Sequence, residues 1–364
     1  MKVFVANTAA MGSPTYLRAM FSKPPKDVEY FYPESYLSHP RLQGCVDPAH
    51  ALPVWEFSPT DLFCLLHRPF GEIWWRFPRA FVTLSPRLKE MDLVESNHIV
   101  FAEKPGIINV DQLWGDAPFT PLGKRIAEKL LALPRCKKIV LHSEHSKQTL
   151  LRRVKVEESK IAVIPCLLEP MPLPRKKHEG FHLLFVGRDF ERKGGLELLA
   201  AFERLSREVG GLRLSLVTRQ ANVPLQALQA IQSNPAIQAY FDVDLARVHS
   251  LFAEADAYCM PSRWEGFGVA AVEALFYGLP LVVSDVQGLG EKITDGRNGF
   301  VCRPGDAESV YVGLKQLVES RALCTRMGRE SRKRFDQQFN PDEIRRKLKA
   351  VYEEAAGSGS RERI

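Results

Sequence analysis

Two short loops in the C-terminal half combine glycines with charged side chains at spacings that suit an anionic ligand. One runs Pro261-Ser262-Arg263-Trp264-Glu265-Gly266-Phe267-Gly268-Val269 and leads into Ala270-Ala271-Val272-Glu273. It lies between an apolar run ending at Met260 and a helical pattern opening near Gly268. Two glycines within three residues let the backbone approach a ligand closely. The amides of Phe267, Gly268 and Val269 would then point from a helix N-terminus toward an anion, at an end that carries about half a positive charge. Glu265 stands in the loop itself. Glu273 is the one carboxylate on an otherwise apolar helical stretch, where it can accept both hydroxyls of a ribose. A glycine-rich turn with a single snorkelling glutamate is the plainer alternative.

The other loop is Gly187-Arg188-Asp189-Phe190-Glu191-Arg192-Lys193-Gly194-Gly195, after the apolar run Phe181 to Val186. Arg188 and Lys193 are placed to clamp the two phosphates of a nucleotide sugar. As a glycosidic bond to such a diphosphate breaks, negative charge grows on the leaving group. Fixed cations there stabilise the transition state more than the ground state. Removing one such donor costs on the order of 3 kcal/mol. A charged surface turn is the bland reading of this loop taken alone.

The elements that must hold these loops alternate between strand and helix. Val3 to Ala6 reads as a first strand, with a helix near Thr15 to Met20. Lys138 to His142 reads as a strand, Ser143 to Arg153 as a helix, and Lys160 to Pro165 as a strand stopped by its proline. Residues 22–120 are rich in proline and aromatics and less regular. Glu169 to Lys177 carries three prolines and a charge run, which keeps a chain extended and outside any sheet. Beyond it come strands at 181–186, 212–217, 257–260 and 280–284, with helices at 195–208, 245–255 and 268–277. Strands separated by helices imply parallel sheets with right-handed crossovers. Two such lobes place a ligand in a cleft between them, outside the carboxyl ends of the strands.

The loops, their spacing and their order resemble the large family of retaining glycosyltransferases with the GT-B fold, the group 1 type also called family 4. In that family a G-R-x(4)-K-G loop and an E-x(7)-E motif bind the donor. Gly187-Arg188 to Lys193-Gly194 and Glu265 to Glu273 match them here. The resemblance continues through Ala255-Asp256-Ala257, Ala274 to Val282, and Asp295 to Asp306, so it covers most of residues 181–310. It implies an α/β fold of two Rossmann-like lobes with a C-terminal helix crossing back to the first lobe. It implies that Arg188 and Lys193 hold the diphosphate, that Glu273 holds the ribose, and that Glu265 with Gly266, Phe267 and Gly268 engages the transferred sugar.

On this reading residues 1–170 form an acceptor-side lobe, 171–180 a linker, 181–335 the donor lobe, 336–356 the returning helix and 357–364 a disordered tail. The first lobe departs from the pattern. The usual glycine pair of the first loop is reduced to Gly12. The histidine that many members place after the strand, read here at 98–102, is missing. Glu103 stands at that point as the substitute, with His98 and His67 as other candidates and a structural role for Glu103 as the plain one. Cys166 to Glu169 replaces the usual N-G-V-D.

Composition narrows the class. Of 364 residues, 45% are hydrophobic and 26% charged, the balance of a globular protein rather than a membrane-spanning or disordered one. The formal charge of +7 suits an anionic ligand or an anionic membrane surface and is too mild to indicate nucleic acid. No apolar run reaches transmembrane length and no secretory leader is evident, so a cytoplasmic location, with peripheral contact at the inner face of a membrane, is expected. The seven cysteines are scattered without a C-x-x-C pair, which argues against structural zinc and disulfides. Asp242-Val243-Asp244 resembles a D-x-D metal motif but directly precedes a helix, so capping is expected of it. His142 and His145 lack a third ligand and are read as unmetallated. Trp74 to Phe81 mixes aromatics with arginines and suits a membrane or acceptor contact as well as ordinary packing.

The expected function is transfer of a sugar from a UDP- or GDP-sugar to a hydroxyl of a glycan, glycolipid or small molecule. It needs neither a cofactor nor a metal. The alternatives are a degenerate protein that binds nucleotide or glycan without catalysis, and a nucleotide-sugar epimerase.

Overall fold

The computed structural model describes the chain except residues 7–18, 39–41, 54, 58–79, 85, 97–98, 101–103, 111–120, 176–177 and 358–364. The chain forms two compact units, Met1–Leu167 with Pro341–Ile364, and Leu168–Asn340.

The first unit holds a parallel sheet of β1 (Lys2–Ala6), β2 (Glu29–Pro33), β3 (Ala51–Leu52), β6 (Leu93–Ser96), β8 (Gly106–Val110), β9 (Cys136–Leu141) and β10 (Ile161–Val163). Their order across the sheet is 10-9-8-6-1-2-3. The intervening β4 (Trp55–Phe57), β5 (Ala80–Leu84) and β7 (Ile99–Val100) form a separate three-stranded sheet. Val3, Phe4 and Val5 are fully buried, as a parallel strand covered on both faces requires.

The strand expected at 98–102 is present in its described part but does not join the sheet of β1. Of that stretch the described residues Ile99–Val100 are extended, and they lie in the small sheet. The strand beside β1 is Leu93–Ser96. Its short apolar start is followed by Glu95 and Ser96, both buried, which hides the strand from a reading based on apolar runs.

The helix Pro341–Ala356 returns to this first unit. The hydroxyl of Tyr352 meets that of Tyr30 at 2.9 Å and also donates to the Glu95 carboxylate, while Arg345 Nε donates to the Lys23 carbonyl at 2.8 Å. Asn109 Nδ2 donates to the other Glu95 oxygen at 2.6 Å. Burial pushes the Glu95 carboxyl up to about 7, against these two hydrogen bonds.

The second unit has six parallel strands: β11 (Phe181–Val186), β12 (Leu212–Thr218), β13 (Ile237–Phe241), β14 (Ala257–Met260), β15 (Leu281–Ser284) and β16 (Gly299–Cys302). They run 13-12-11-14-15-16 across the sheet. Successive strands thus step outward in one direction from β11 and in the other from β14. The reversal opens a crevice beyond the carboxyl ends of β11 and β14, where doubly wound sheets bind ligands.

Among the described residues, no helix is long and apolar enough to cross a membrane.

Candidate functional site

The two loops singled out by sequence follow the two strands at the reversal. Gly187–Gly194 leaves β11 and ends at the helix Gly195–Glu208; Pro261–Gly268 leaves β14 and ends at the helix Val269–Phe276. Both helices begin on a glycine cap in the left-handed region, Gly194 at φ 78° and Gly268 at φ 84°. A Cβ on Gly194 would stand 2.2 Å from the Pro261 carbonyl oxygen, so the glycine is what lets the loops touch. A Cβ on Gly187 would lie 2.9 Å from the Lys193 Cβ and Cγ, so that glycine clears the path of the lysine stem.

Lys193 uses this path to form an ion pair with Glu265, between side chains only 14% and 11% exposed. At that burial water screens the attraction weakly. The other carboxylate oxygen of Glu265 accepts the Gly268 N–H at 3.2 Å. Lys193, Glu265 and the Gly266–Gly268 turn are therefore one constellation. Arg188 lies on the exposed side of the same loop, and its carbonyl accepts from Asn222 Nδ2 at 2.6 Å.

Further bonds lock the loops together. Arg192 donates to the Trp264 carbonyl at 2.7 Å and lies 5.3 Å from that indole, while its own carbonyl accepts the Arg263 N–H at 2.9 Å. The Arg263 guanidinium pairs with buried Glu197 on the first turn of the Gly195–Glu208 helix.

Glu273 is 4% exposed, one turn into the helix that Gly268 caps. Its charge reaches two phenols: burial first, then Glu273, pushes Tyr258 well above its ordinary range, and the same two causes raise Tyr277. The Tyr258 hydroxyl donates to the Val186 carbonyl at the end of β11.

A third loop, after β15, had no role in the sequence reading. Gln287 Oε1 accepts the Glu265 N–H at 3.0 Å. Lys292 is 1% exposed, donates to the Gly288 carbonyl at 2.6 Å and lies 3.8 Å from the Phe267 ring centroid. A buried ammonium is rare, and an aromatic face is one of the few apolar partners that attract it. In sequence Lys292 stands beside Glu291 in Leu289-Gly290-Glu291-Lys292-Ile293, a charged pair that resembles an ordinary surface position.

Asp244 caps the helix Leu245–Glu254, accepting the Arg247 N–H at 2.8 Å, as expected of it. His142 is buried against the Ile164 carbonyl at 2.8 Å. Among the described residues, no three His, Cys, Asp or Glu side chains gather as metal ligands. Gly12, His67, His98 and Glu103, and most of the Trp74 to Phe81 stretch, lie outside the described residues.

This arrangement can neutralise a diphosphate with a lysine and a helix N-terminus while keeping a carboxylate beside it. Residues 169–334 match the family described as Glycosyl transferases group 1. The chain is 30% identical over 185 residues to the glycogen synthase of Mycobacterium tuberculosis, covering 50% of this chain and 45% of that enzyme. It thus spans about half the length of that curated relative. A Rickettsia africae glycosyltransferase structure aligns with TM-score 0.70 at 14% identity, over 97% of this chain and 98% of that one. Anabaena HepE in complex with UDP-glucose aligns with TM-score 0.68 at 15% identity, over 96% of this chain and 99% of that one.

Proposed function

We propose that the chain is a group 1 glycosyl transferase through residues 169–334, and that it moves a sugar from a nucleoside-diphosphate sugar, UDP- or GDP-linked, to an acceptor hydroxyl with retention of configuration. The observation that carries this reading is the buried Lys193–Glu265 pair joined to the Gly266–Gly268 turn at the strand-order reversal.

Lys193, Arg188 and the amides of Phe267, Gly268 and Val269 face the diphosphate. They take up the negative charge that grows on it as the glycosidic bond lengthens, the point at which fixed charges lower the barrier most. Glu273 accepts the ribose hydroxyls. Glu265, fixed by Lys193 and by the Gly268 amide, engages the hydroxyls of the transferred sugar. Departure of the diphosphate leads; one of its oxygens then takes the proton of an acceptor hydroxyl arriving on the same face. The cations and the helix end supply the neutralisation, so no metal is required on this route. The acceptor is a glycan, a lipid-linked sugar or a small molecule; Gly12 is a candidate for donor binding and Glu103 for catalysis. A cytoplasmic protein, with peripheral contact at the inner face of a membrane, fits these substrates.

The test is turnover. With UDP-, GDP- and ADP-sugars as donors, transfer and donor hydrolysis are measured for the wild type, Lys193→Ala and Glu265→Ala. Each variant should lose a hundredfold or more, roughly 3 kcal/mol of transition-state stabilisation. Wild-type rates in both variants would falsify the mechanism. Saturable nucleotide binding without any turnover would make the chain a binding protein on an enzyme fold.

A further inference from the structure

Gln287 carries a cost that the reading above leaves unexplained. It begins the short helix Gln287–Gly290 beyond β15 with φ 39°, inside the left-handed region that favours glycine. Glycine would sit there freely, and glycines stand at 288 and 290. Strained positions of this kind persist only where the surroundings enforce them, and they gather at ligand sites.

The side chain shows what the strain secures. Its Oε1 accepts the Glu265 N–H at 3.0 Å. A main-chain N–H can meet only an acceptor, so this bond fixes which end of the carboxamide faces Glu265. The Nε2 group, with two donors, is turned the other way, and among the described residues it has no partner. It stands next to the residue whose carboxylate is read as engaging the sugar.

Resting on that reading, we propose that Gln287 determines sugar specificity: Oε1 sets the main chain of Glu265, and Nε2 donates to a hydroxyl of the transferred sugar. The contact is with the sugar and not with the nucleotide. Removing it should therefore weaken binding of a nucleotide sugar and leave the bare nucleotide alone.

Two variants separate this role from a structural one. Gln287→Met keeps the length and loses both polar ends, while Gln287→Gly also relieves the backbone. Calorimetric titration of each, and of the wild type, uses UDP, GDP, ADP, UDP-glucose, GDP-mannose and ADP-glucose. The readout is the ratio of the nucleoside-diphosphate Kd to the nucleotide-sugar Kd for the pair the wild type binds most tightly. That ratio should fall about three- to tenfold in both variants, the effect of one hydrogen bond, with the bare nucleotide Kd within about twofold of wild type. The Tm of Gln287→Gly should stay at or above wild type. A ratio unchanged in either variant overturns the proposal, as does a loss that tracks Tm and bare-nucleotide affinity together. A wild type that binds none of the six probes would instead remove the donor-site reading, and this proposal with it.

Discussion

Glu95→Gln should stabilise the first unit in mild alkali and leave it unchanged in acid. Glu95 is 2% exposed on β6, between Asn109 and Tyr352 of the returning helix, and its carboxyl titrates near 7 instead of 4.5. Between those two values the folded chain keeps a proton that the unfolded chain has released. The stability contribution is therefore whole below pH 4.5 and is lost as pH rises through 7. The interval of about 2.5 pH units corresponds to roughly 3 kcal/mol at full ionisation. Glutamine keeps the shape and an oxygen for Asn109 Nδ2, and its nitrogen can donate to the Tyr352 hydroxyl. It removes the buried charge at pH 8, where Tm should rise by about 6–12 °C. At pH 4.5 the wild-type group is already neutral and the two proteins should unfold together. Thermal unfolding at both pH values reads this directly. An identical difference between the two proteins at pH 4.5 and pH 8 would mean that Glu95 does not titrate in the folded state and would refute the argument.

Gly194→Ala should lower the stability of the second unit by at least about 2 kcal/mol, because a methyl must displace the Pro261 carbonyl at a left-handed position. Gly210→Ala, with open space around it, is the control, and denaturant titration of the pair checks the difference. His182 is 1% exposed on β11, and its burial, followed by the charge of Arg213, lowers its pKa to about 4. The unfolded chain therefore binds a proton first as pH falls from 6.5, so stability contributed by neutral His182 is lost between 6.5 and 4. An NMR titration of the imidazole should show no protonation at pH 5.5; a midpoint near 6.5 would contradict this.

The second unit was far more legible in sequence than the first, for a physical reason. Phe181–Val186 and Ala257–Met260 are continuous apolar runs because both faces of those central strands are covered, and their bounds are those read from sequence. The edge strand Ile237–Phe241 carries only Ile237 fully buried, so its pattern is diluted and it escaped notice. In the first unit the strand beside β1 contains the buried polar residues Glu95 and Ser96, and Glu95 finds its partners in Asn109 and Tyr352, 14 and 257 positions away. Such pairing is long-range, and no local window reveals it. The same limit explains the third loop of the site: Gln287 and Lys292 matter through Glu265 and Phe267, residues more than twenty positions earlier.

The glycines of the two loops and the charges beside them solve a single problem. Glycine lets the backbone come close to a ligand, but it also leaves a loop with few side chains to hold its shape. The Glu265 turn compensates from three directions. Lys193 holds its carboxylate, Gln287 holds its main-chain amide, and Lys292 lies against the Phe267 ring behind it. Two of those three braces are cations; the charge of Lys193 is balanced by the Glu265 carboxylate that it holds. If this turn meets a diphosphate as proposed, fixed charges of that kind need not reorganise as the bond breaks.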